Sequence, residues 1–130
     1  MKKSLSKIKK KVWQEFSKYI RLRDSDSNGN CSCITCGVVK PYKEMQAGHL
    51  LDGRTNSILF DEEIVYSQCY GCNCMKSGNK EVYIPWFIDK FGREKYDEKL
   101  RQKHTTVKYS ISDLEEMLED YKERVKKLGG

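Results

Sequence analysis

Apolar residues recur at three- and four-residue steps near the start of the chain, where no glycine or proline interrupts them. These positions are Leu5, Ile8, Val12, Phe16, Tyr19 and Ile20. This spacing places apolar side chains on one face of an α-helix. The pattern therefore predicts an amphipathic helix over residues 2–23, which the polar run from Asp24 to Asn30 ends.

Two shorter apolar runs occupy residues 45–51 and 58–68, and the polar residues 52–57 separate them. Both runs contain β-branched, aromatic and aliphatic residues, which are enriched in strands. We expect a β-hairpin with a polar loop here. After it, a short helix is predicted to begin near Asn73, and Ser77 and Gly78 break it.

The last third of the chain has helical spacing throughout. Asn79 is the predicted cap of a helix whose apolar stripe ends at Gly92, with Pro85 in its first turn or at a bend. A second helix is expected over residues 93–103, packed through Tyr96 and Leu100. For the last helix the sequence predicts a capping box of Ser112 and Glu115, followed by an apolar stripe. The two stripes are Val82, Tyr83, Trp86, Phe87 and Phe91, and then Leu114, Leu118, Tyr121, Val125 and Leu128.

Composition adds a bias towards anionic partners. The chain has 130 residues and a formal net charge of +6, with 34% charged and 38% hydrophobic residues. Such a charge favours nucleic acid first and an anionic membrane surface second. No apolar run approaches the roughly 18 residues of a membrane helix, and no apolar signal core follows the first lysines. We therefore expect a single cytoplasmic domain without a membrane partner.

Much of the positive charge lies on the polar face of the first helix. Its basic residues are Lys2, Lys3, Lys7, Lys9, Lys10, Lys11, Lys18 and Arg21, and Glu15 is the one acid among them. A solvated helix face is the simplest explanation of such a run. The concentration of charge favours contact with the phosphates of DNA instead.

Six cysteines include two Cys-x-x-Cys pairs, Cys33 with Cys36 and Cys69 with Cys72. Two intervening residues allow both thiolates of a pair to bind one ion, and zinc takes four such ligands tetrahedrally. The alternative is a set of buried free thiols or redox cysteines. We predict a structural Zn²⁺ held by the four, with Cys31 and Cys74 as spare thiols.

Four motifs occur in a fixed order along this chain: Arg21-Leu-Arg23-Asp24, Ala47-Gly48-His49, Gln68-Cys69-Tyr-Gly-Cys72-Asn73 and Lys76-Ser77-Gly78-Asn79. Together they resemble the HNH, or ββα-metal, endonucleases, and within that group the phage NinG (Rap) recombination proteins. The resemblance runs from about Glu15 to the end of the chain. It implies an α+β fold in which a zinc-stapled ββα-metal core over residues 31–79 lies between a basic helix in 1–24 and a helical part in 80–130.

The resemblance also implies an activity and residue roles. It implies a phage-encoded endonuclease that cleaves branched DNA during recombination, using Mg²⁺ or Mn²⁺ in the host cytoplasm. His49 matches the general base, and an imidazole can accept a proton near neutral pH. Asn73 matches a position that offers a carbonyl oxygen to the catalytic ion. Arg54 and Lys76 are candidate phosphate contacts. A two-fold symmetric junction would suit a homodimer.

Each role has a plainer alternative. A lone histidine is usually structural, as we expect of His104, and Asn73 has the chemistry of a helix cap. Two positions depart from the HNH pattern. Gly48 stands where many of these enzymes have an acidic metal ligand, and Ile64 stands where they have an asparagine. The second metal ligand is thus unassigned, with Gln46 and Asp52 as candidates.

Three functions are therefore open at the level of sequence. The first is the metal-dependent nuclease, and the second is a zinc-stabilised DNA-binding accessory module that does not cleave. The third is a zinc-folded interaction domain with no nucleic-acid role, which would leave the net charge of +6 unexplained. Only the nuclease requires His49 and Asn73.

Overall fold

A computed structural model of the protein describes residues 4–130. Its helices are α1 (Leu5–Arg23), α2 (Asn56–Leu59), α3 (Lys80–Phe91), α4 (Arg93–Lys103) and α5 (Ile111–Lys127). Its strands are β1 (Asn30–Ser32), β2 (Val39–Pro41), β3 (Gln46–His49) and β4 (Val65–Gln68). A 3-10 turn, Tyr42–Glu44, and a π-helical turn, Gly71–Met75, complete the secondary structure. Lys2 and Lys3 lie outside the described residues.

The first and last helices pack against each other, as the apolar stripes predict. Helix α1 buries a residue at every fourth position, and α5 supplies the opposite side of the same core. The ring of Phe16 meets Tyr121 edge-on, with centroids 5.3 Å apart, and meets Phe60 at 5.6 Å. Leu5 and Leu128, at the outer ends of the predicted stripes, are exposed. The α+β class with packed terminal helices is confirmed.

The predicted hairpin exists but is much shorter than expected. Strand β3 pairs antiparallel with β4, from Gln46 opposite Gln68 to His49 opposite Val65. The strand predicted to begin at residue 58 is wrong, because Asn56–Leu59 forms a helical turn. Ile58 packs in one hydrophobic core while the next residue, Leu59, packs in another. The helical turn lets consecutive apolar residues serve these two cores.

Helix α3 covers the core that contains Ile58, which we call the second core. Tyr83 and Phe87 are buried in it. Val82 and Phe91, which the predicted stripe included, are exposed. Pro85 lies in the helix interior rather than in its first turn, and it lies on the exposed side. Helix α4 follows as predicted, with Tyr96 and Leu100 partly buried against the same core.

One predicted cap is wrong and the other is correct in position. The capping box of α5 uses Ser110 and Asp113, two residues before the pair expected at Ser112 and Glu115. Asn79 is the N-cap residue of α3, as predicted, in the left-handed conformation with φ of 49°, but its side chain makes no capping hydrogen bond. Sequence spacing alone admits several registers for a serine cap, and the helix start selects one of them.

Within residues 4–130, no helix combines the length and the apolar character needed to cross a membrane.

Candidate metal centre and nucleic-acid interface

The sulfur atoms of Cys33, Cys36, Cys69 and Cys72 all lie within 4.8 Å of one another. We call this group the cysteine cluster. Sγ of Cys36 and Sγ of Cys69 are 3.7 Å apart. Tetrahedral zinc with bonds of about 2.3 Å would separate its sulfur ligands by about 3.8 Å. The predicted grouping of four cysteines is confirmed, and its geometry suits Zn²⁺.

The two pairs are formed by local backbone geometry. Cys33 follows β1, and the amide of Gly37, with φ of 80°, donates to the Cys33 carbonyl at 2.9 Å. Cys69 follows β4, and the amide of Cys72 donates to Cys69 Sγ at 3.4 Å. Each pair is thus held by a tight turn at the end of a strand, which directs both sulfurs to one point.

The pKa values of Cys33 and Cys36 are shifted in opposite directions. Burial opposes ionisation of Cys33, but hydrogen bonds from Thr35 and from the backbone of Cys69 and Cys36 give its thiol a lowered pKa of about 6. A hydrogen bond from the backbone of Val38 favours the Cys36 thiolate, but burial and hydrogen bonds with the sulfurs of Cys33, Cys69 and Cys72 raise its pKa to about 12. The side-chain amide of Asn79 donates to Cys72 Sγ at 3.6 Å. Zinc binding would require release of the remaining protons, since its ligands must be deprotonated.

The two remaining cysteines differ from each other. Cys31 is buried beside the cysteine cluster, whereas Cys74 is exposed and its thiol donates to Oε1 of Gln46 at 3.1 Å. Neither belongs to the group of four sulfurs.

His49, at the end of β3, is only 9% exposed. Its Nε2 lies 3.0 Å from the carbonyl oxygen of Leu59, so Nε2 carries the proton and donates it. Nδ1 is then the basic nitrogen. Burial, together with the positive charges of Arg54 and Lys80, lowers the pKa of His49 to about 4. The imidazole is therefore neutral at pH 7.

The backbone around His49 is anchored by donors from helix α3. The hydroxyl of Tyr83 donates to the Gly48 carbonyl at 2.7 Å, and the ammonium of Lys80 donates to the His49 carbonyl. Ile64, at the position where the HNH pattern has an asparagine, is fully buried in the second core. Here the Leu59 carbonyl and these helix donors position the histidine.

Gly48 has no room for a side chain. A Cβ at this position would lie 1.8 Å from Oε1 of Gln68, whose side chain extends along the same face of the hairpin from its position opposite Gln46. The Gln68 side chain is completely buried, and its Nε2 donates to the carbonyl of Gly78 at 2.8 Å and to Oγ1 of Thr35 at 3.1 Å. Gln68 therefore ties the turn of the first cysteine pair and the backbone of Gly78 to β4, the strand paired with the one that carries His49. Its side chain also excludes an acidic ligand at position 48.

Asn73 lies in the π-helical turn and faces the first residue of β3. Its Nδ2 donates to Oε1 of Gln46 at 2.7 Å. The amide oxygens of Asn73 and Gln46 are ligands of the kind that Mg²⁺ binds, but both side chains are uncharged. Asp52, the other candidate ligand, is exposed and lies 3.6 Å from the Lys80 ammonium. Among the described residues, the only metal-suited group of cysteines, histidines and carboxylates is the cysteine cluster.

His49 and Asn73 are not brought into contact. Gln46, the partner of Asn73, and His49 are three residues apart on β3, which is roughly 10 Å along a strand. Their side chains also point to opposite faces, because strand residues alternate. Trp13 lies between the two regions: its ring stacks on His49 at 5.1 Å, and it lines a cavity with Asn73.

Two cavities adjoin at Trp13 and Arg54. The lysine cavity, of about 260 Å³, is lined by Ser6, Lys9, Lys10, Trp13, Arg54 and Leu59. The amide cavity, of about 350 Å³, is lined by Trp13, Ser17, Arg21, Met45, Gln46, Ala47, Arg54 and Asn73. The structure thus gathers four of the predicted DNA contacts, Lys9, Lys10, Arg21 and Arg54, around one aromatic ring.

The other predicted contacts do not line either cavity. Lys7, Lys11 and Lys76 are exposed, and Lys18 is half-buried. Arg21 is partly used by the fold, since its guanidinium donates to the carbonyl of Tyr42 at 3.0 Å.

Sequence reasoning missed Trp13 and the structural role of Gln68. A signal existed for Trp13, because it follows Lys9 by four residues and Lys10 by three, which places all three on one helix face. No sequence signal could have shown that Gln68 fills the space in front of Gly48.

The profile described as "Bacteriophage Lambda NinG protein" matches residues 1–129. The chain is 29% identical over 120 residues to Protein ninG of Escherichia phage lambda, covering 92% of this chain and 56% of that protein. It is 28% identical over 120 residues to Protein ninG of Salmonella phage P22, with the same coverage. Against Protein ninG of Enterobacteria phage H19B it is 30% identical over 105 residues, covering 80% of this chain and 49% of that protein. The chain spans about half the length of the curated relatives it matches. No solved structure matches it.

Proposed function

The chain belongs to the NinG family, and we propose that it is a divalent-metal-dependent endonuclease that cleaves branched DNA. In this proposal β3, β4 and the π-helical turn correspond to the ββα-metal core of the HNH enzymes. Zn²⁺ in the cysteine cluster fixes that core, and the basic face of α1 receives the DNA. The phage and recombination setting comes from the family resemblance, and with it the host cytoplasm.

The observation that carries the proposal is the state of His49. Its Nε2–H is engaged by the Leu59 carbonyl, and the pKa lowered to about 4 keeps Nδ1 free of a proton at neutral pH. A general base must be deprotonated and fixed in one tautomer before it can accept a proton from water. His49 also stacks on Trp13, which lines both cavities, and it lies within the field of the positively charged Arg54.

The chemistry assigned to the chain's residues is phosphodiester hydrolysis. His49 Nδ1 accepts a proton from the attacking water as the water oxygen bonds to phosphorus, and the bond from phosphorus to the 3′ oxygen breaks. Arg54 and Arg21 hold the phosphate by charge-assisted hydrogen bonds, and Lys76 adds a point charge. The amide oxygens of Asn73 and Gln46 would hold Mg²⁺ or Mn²⁺, which when bound supplies Lewis-acid stabilisation of the developing charge.

Binding without cleavage is the second candidate, and two observations favour it. Gln46, the hydrogen-bond partner of Asn73, and His49 point to opposite faces of β3, which separates the candidate ion ligands from the candidate base. The candidate ion ligands are also neutral amides, whereas Mg²⁺ sites usually include one or two carboxylates. Under this alternative the zinc-stabilised chain would bind branched DNA for other recombination proteins.

One cleavage experiment separates the two candidates. Labelled Holliday junctions, flaps and linear duplex are incubated with the protein in Mg²⁺, in Mn²⁺ or without added divalent ion. We expect cleavage of the branched substrates that depends on the ion and falls about 10²- to 10⁴-fold in His49→Ala. His104→Ala, which removes the other histidine of the chain, is the matched control and should retain full activity.

Each unfavourable outcome overturns a defined part of the proposal. Binding without cleavage in every ion supports the accessory-module alternative. Cleavage that survives in His49→Ala would show that His49 is not the general base. A preference for linear duplex would show that branched DNA is not the substrate. A homodimer on a two-fold symmetric junction stays a prediction, which sedimentation of the protein with and without junction DNA would test.

A further inference from the structure

Trp13 is placed as a binding residue as well as a packing residue. Its ring contacts Phe16 in the core and stacks on His49, yet it is only partly buried and lines both the lysine cavity and the amide cavity. An aromatic ring that lines two adjoining surface cavities can be reached by a planar ligand from outside the protein.

Arg54 covers this ring. Its guanidinium carbon lies 4.5 Å from the centre of a Trp13 ring, and this is the contact the structure gives for the side chain. Arg54 lies in an exposed loop and has a φ of 48°, in the left-handed region that residues other than glycine rarely adopt. Because Arg54 is exposed and no carboxylate of residues 4–130 forms an ion pair with it, the guanidinium can leave the ring at low cost.

The cations beside Trp13 are unneutralised. The ion pairs of the described residues lie elsewhere, and none of them includes Lys9, Lys10 or Arg54. By contrast, three basic residues of α5 are paired with acids: Lys122 with Glu119, Arg124 with Glu62 and Asp120, and Lys127 with Glu123. The α1 cations are therefore available to an external anion.

We propose that Trp13 stacks one unpaired base of the DNA, while Arg54 moves from the ring to a phosphate next to that base. Lys9 and Lys10 contact the neighbouring phosphates. An aromatic platform flanked by cations is the arrangement by which proteins hold single strands, because every base has a π-face and every nucleotide a phosphate. The inference deepens the proposed function, since it gives the residue that would distinguish a branch, where bases are unpaired, from continuous duplex.

The stacking can be observed directly with tryptophan fluorescence. The chain has two tryptophans, so Trp86→Phe leaves Trp13 as the only one. A twelve-nucleotide oligothymidylate, without added divalent ion, should quench this emission. A duplex that carries the same number of phosphates should quench it far less. Equal quenching by both, or none by the single strand, would overturn the proposal.

Affinity measurements provide the second readout. Trp13→Leu should weaken binding of the single strand by about 5- to 150-fold and leave duplex binding within about twofold. Trp13→Phe, which keeps a ring, should recover part of the loss. If Trp13→Leu weakens both ligands equally, or if Trp13→Phe recovers nothing, the residue acts only through the fold and the inference is wrong.

Arg54→Ala tests whether the Arg54 guanidinium covers the ring of Trp13. Without the guanidinium, the emission of Trp13 in the free protein should shift to the red, because water then reaches the ring. An unchanged spectrum would contradict the cover that Arg54 is proposed to form. Since none of these measurements requires cleavage, a protein that stacks single strands and never cleaves would retain this inference and lose the proposed nuclease.

Discussion

The two ends of the β3–β4 hairpin are built in different ways. At one end Gln46 faces Gln68, and the cysteine cluster closes through short turns around Cys33 and Cys69. At the other end His49 is placed by contacts from Trp13 in α1, from Leu59 in α2 and from residues of α3. The first end joins two tight turns in a cluster whose geometry suits a metal, and the second depends on packing and hydrogen bonds from three helices.

This difference separates stability from chemistry. If the cysteine cluster holds zinc, replacing one sulfur would cost the metal, because a structural site needs four ligands. The surroundings of His49 carry no such requirement, since within residues 4–130 the imidazole makes one hydrogen bond and stacks on one ring. Substitutions at the first end should therefore unfold the chain, and those at the second should mainly change its reactions and pH response.

The largest effect is expected for Cys69→Ser. It removes a ligand from a site that would contribute on the order of 10 kcal/mol to folding, so the variant should lose zinc and most of its tertiary structure. Zinc content and near-ultraviolet circular dichroism measure both losses. Cys74→Ser, outside the cluster, should retain zinc and fold. A folded Cys69→Ser protein with one zinc per chain would show that the cluster is not the metal site.

Gly48→Asp tests the link between the two ends. The new side chain overlaps Oε1 of Gln68, whose distance from the added Cβ would be 1.8 Å. Overpacking of this kind typically costs about 1–3 kcal/mol, and urea denaturation should show a loss of at least that size. In a Gln68→Ala background the same substitution should cost much less. An equal cost in both backgrounds would mean that Gln68 is not the obstacle.

Acid should destabilise the protein through His49. Because its pKa falls from 6.5 in the unfolded chain to about 4 in the folded one, the folded state binds fewer protons between these pH values. Stability from this group is complete above pH 6.5 and declines by about 3 kcal/mol as pH falls to 4. The difference in unfolding free energy between wild type and His49→Gln should change accordingly. A constant difference from pH 7 to pH 4 would contradict the buried neutral imidazole.

The smallest effect is expected on the surface. Replacing Lys9, Lys10 and Lys11 by Ala should weaken binding to DNA of any sequence and reduce the slope of log affinity against log salt by up to about 3. The matched control removes the same charge from α5, at Lys122, Lys126 and Lys127, of which the first and last are ion-paired with acids. If the two triple variants have equal slopes of log affinity against log salt, the α1 lysines form a solvated helix face and do not contact DNA phosphates.

Much of the fold could be predicted because its apolar periodicity is strong. Helix α1 extends to Arg23, as its pattern predicts, and α4 and the packing of α5 also agree with the sequence. The predictions failed where a short apolar run is compatible with either a helix or a strand, as at residues 56–59. They also failed where two nearby serines could each cap a helix, as at Ser110 and Ser112. In both cases the packing of distant segments, rather than local preference, made the choice.

The sequence by itself determined the four cysteines, because the spacing within each pair already constrains two thiolates to one ion. It also marked His49 and the excess of lysines in α1. Only the tertiary structure decided that the Gln68 side chain fills the space at Gly48 and that Asn73 hydrogen-bonds Gln46. It also decided that Arg54 packs on the ring of Trp13. Ligand spacing within a cysteine pair is a local property of the chain, whereas those contacts join residues that are 20 or more positions apart, for which the sequence carries no period.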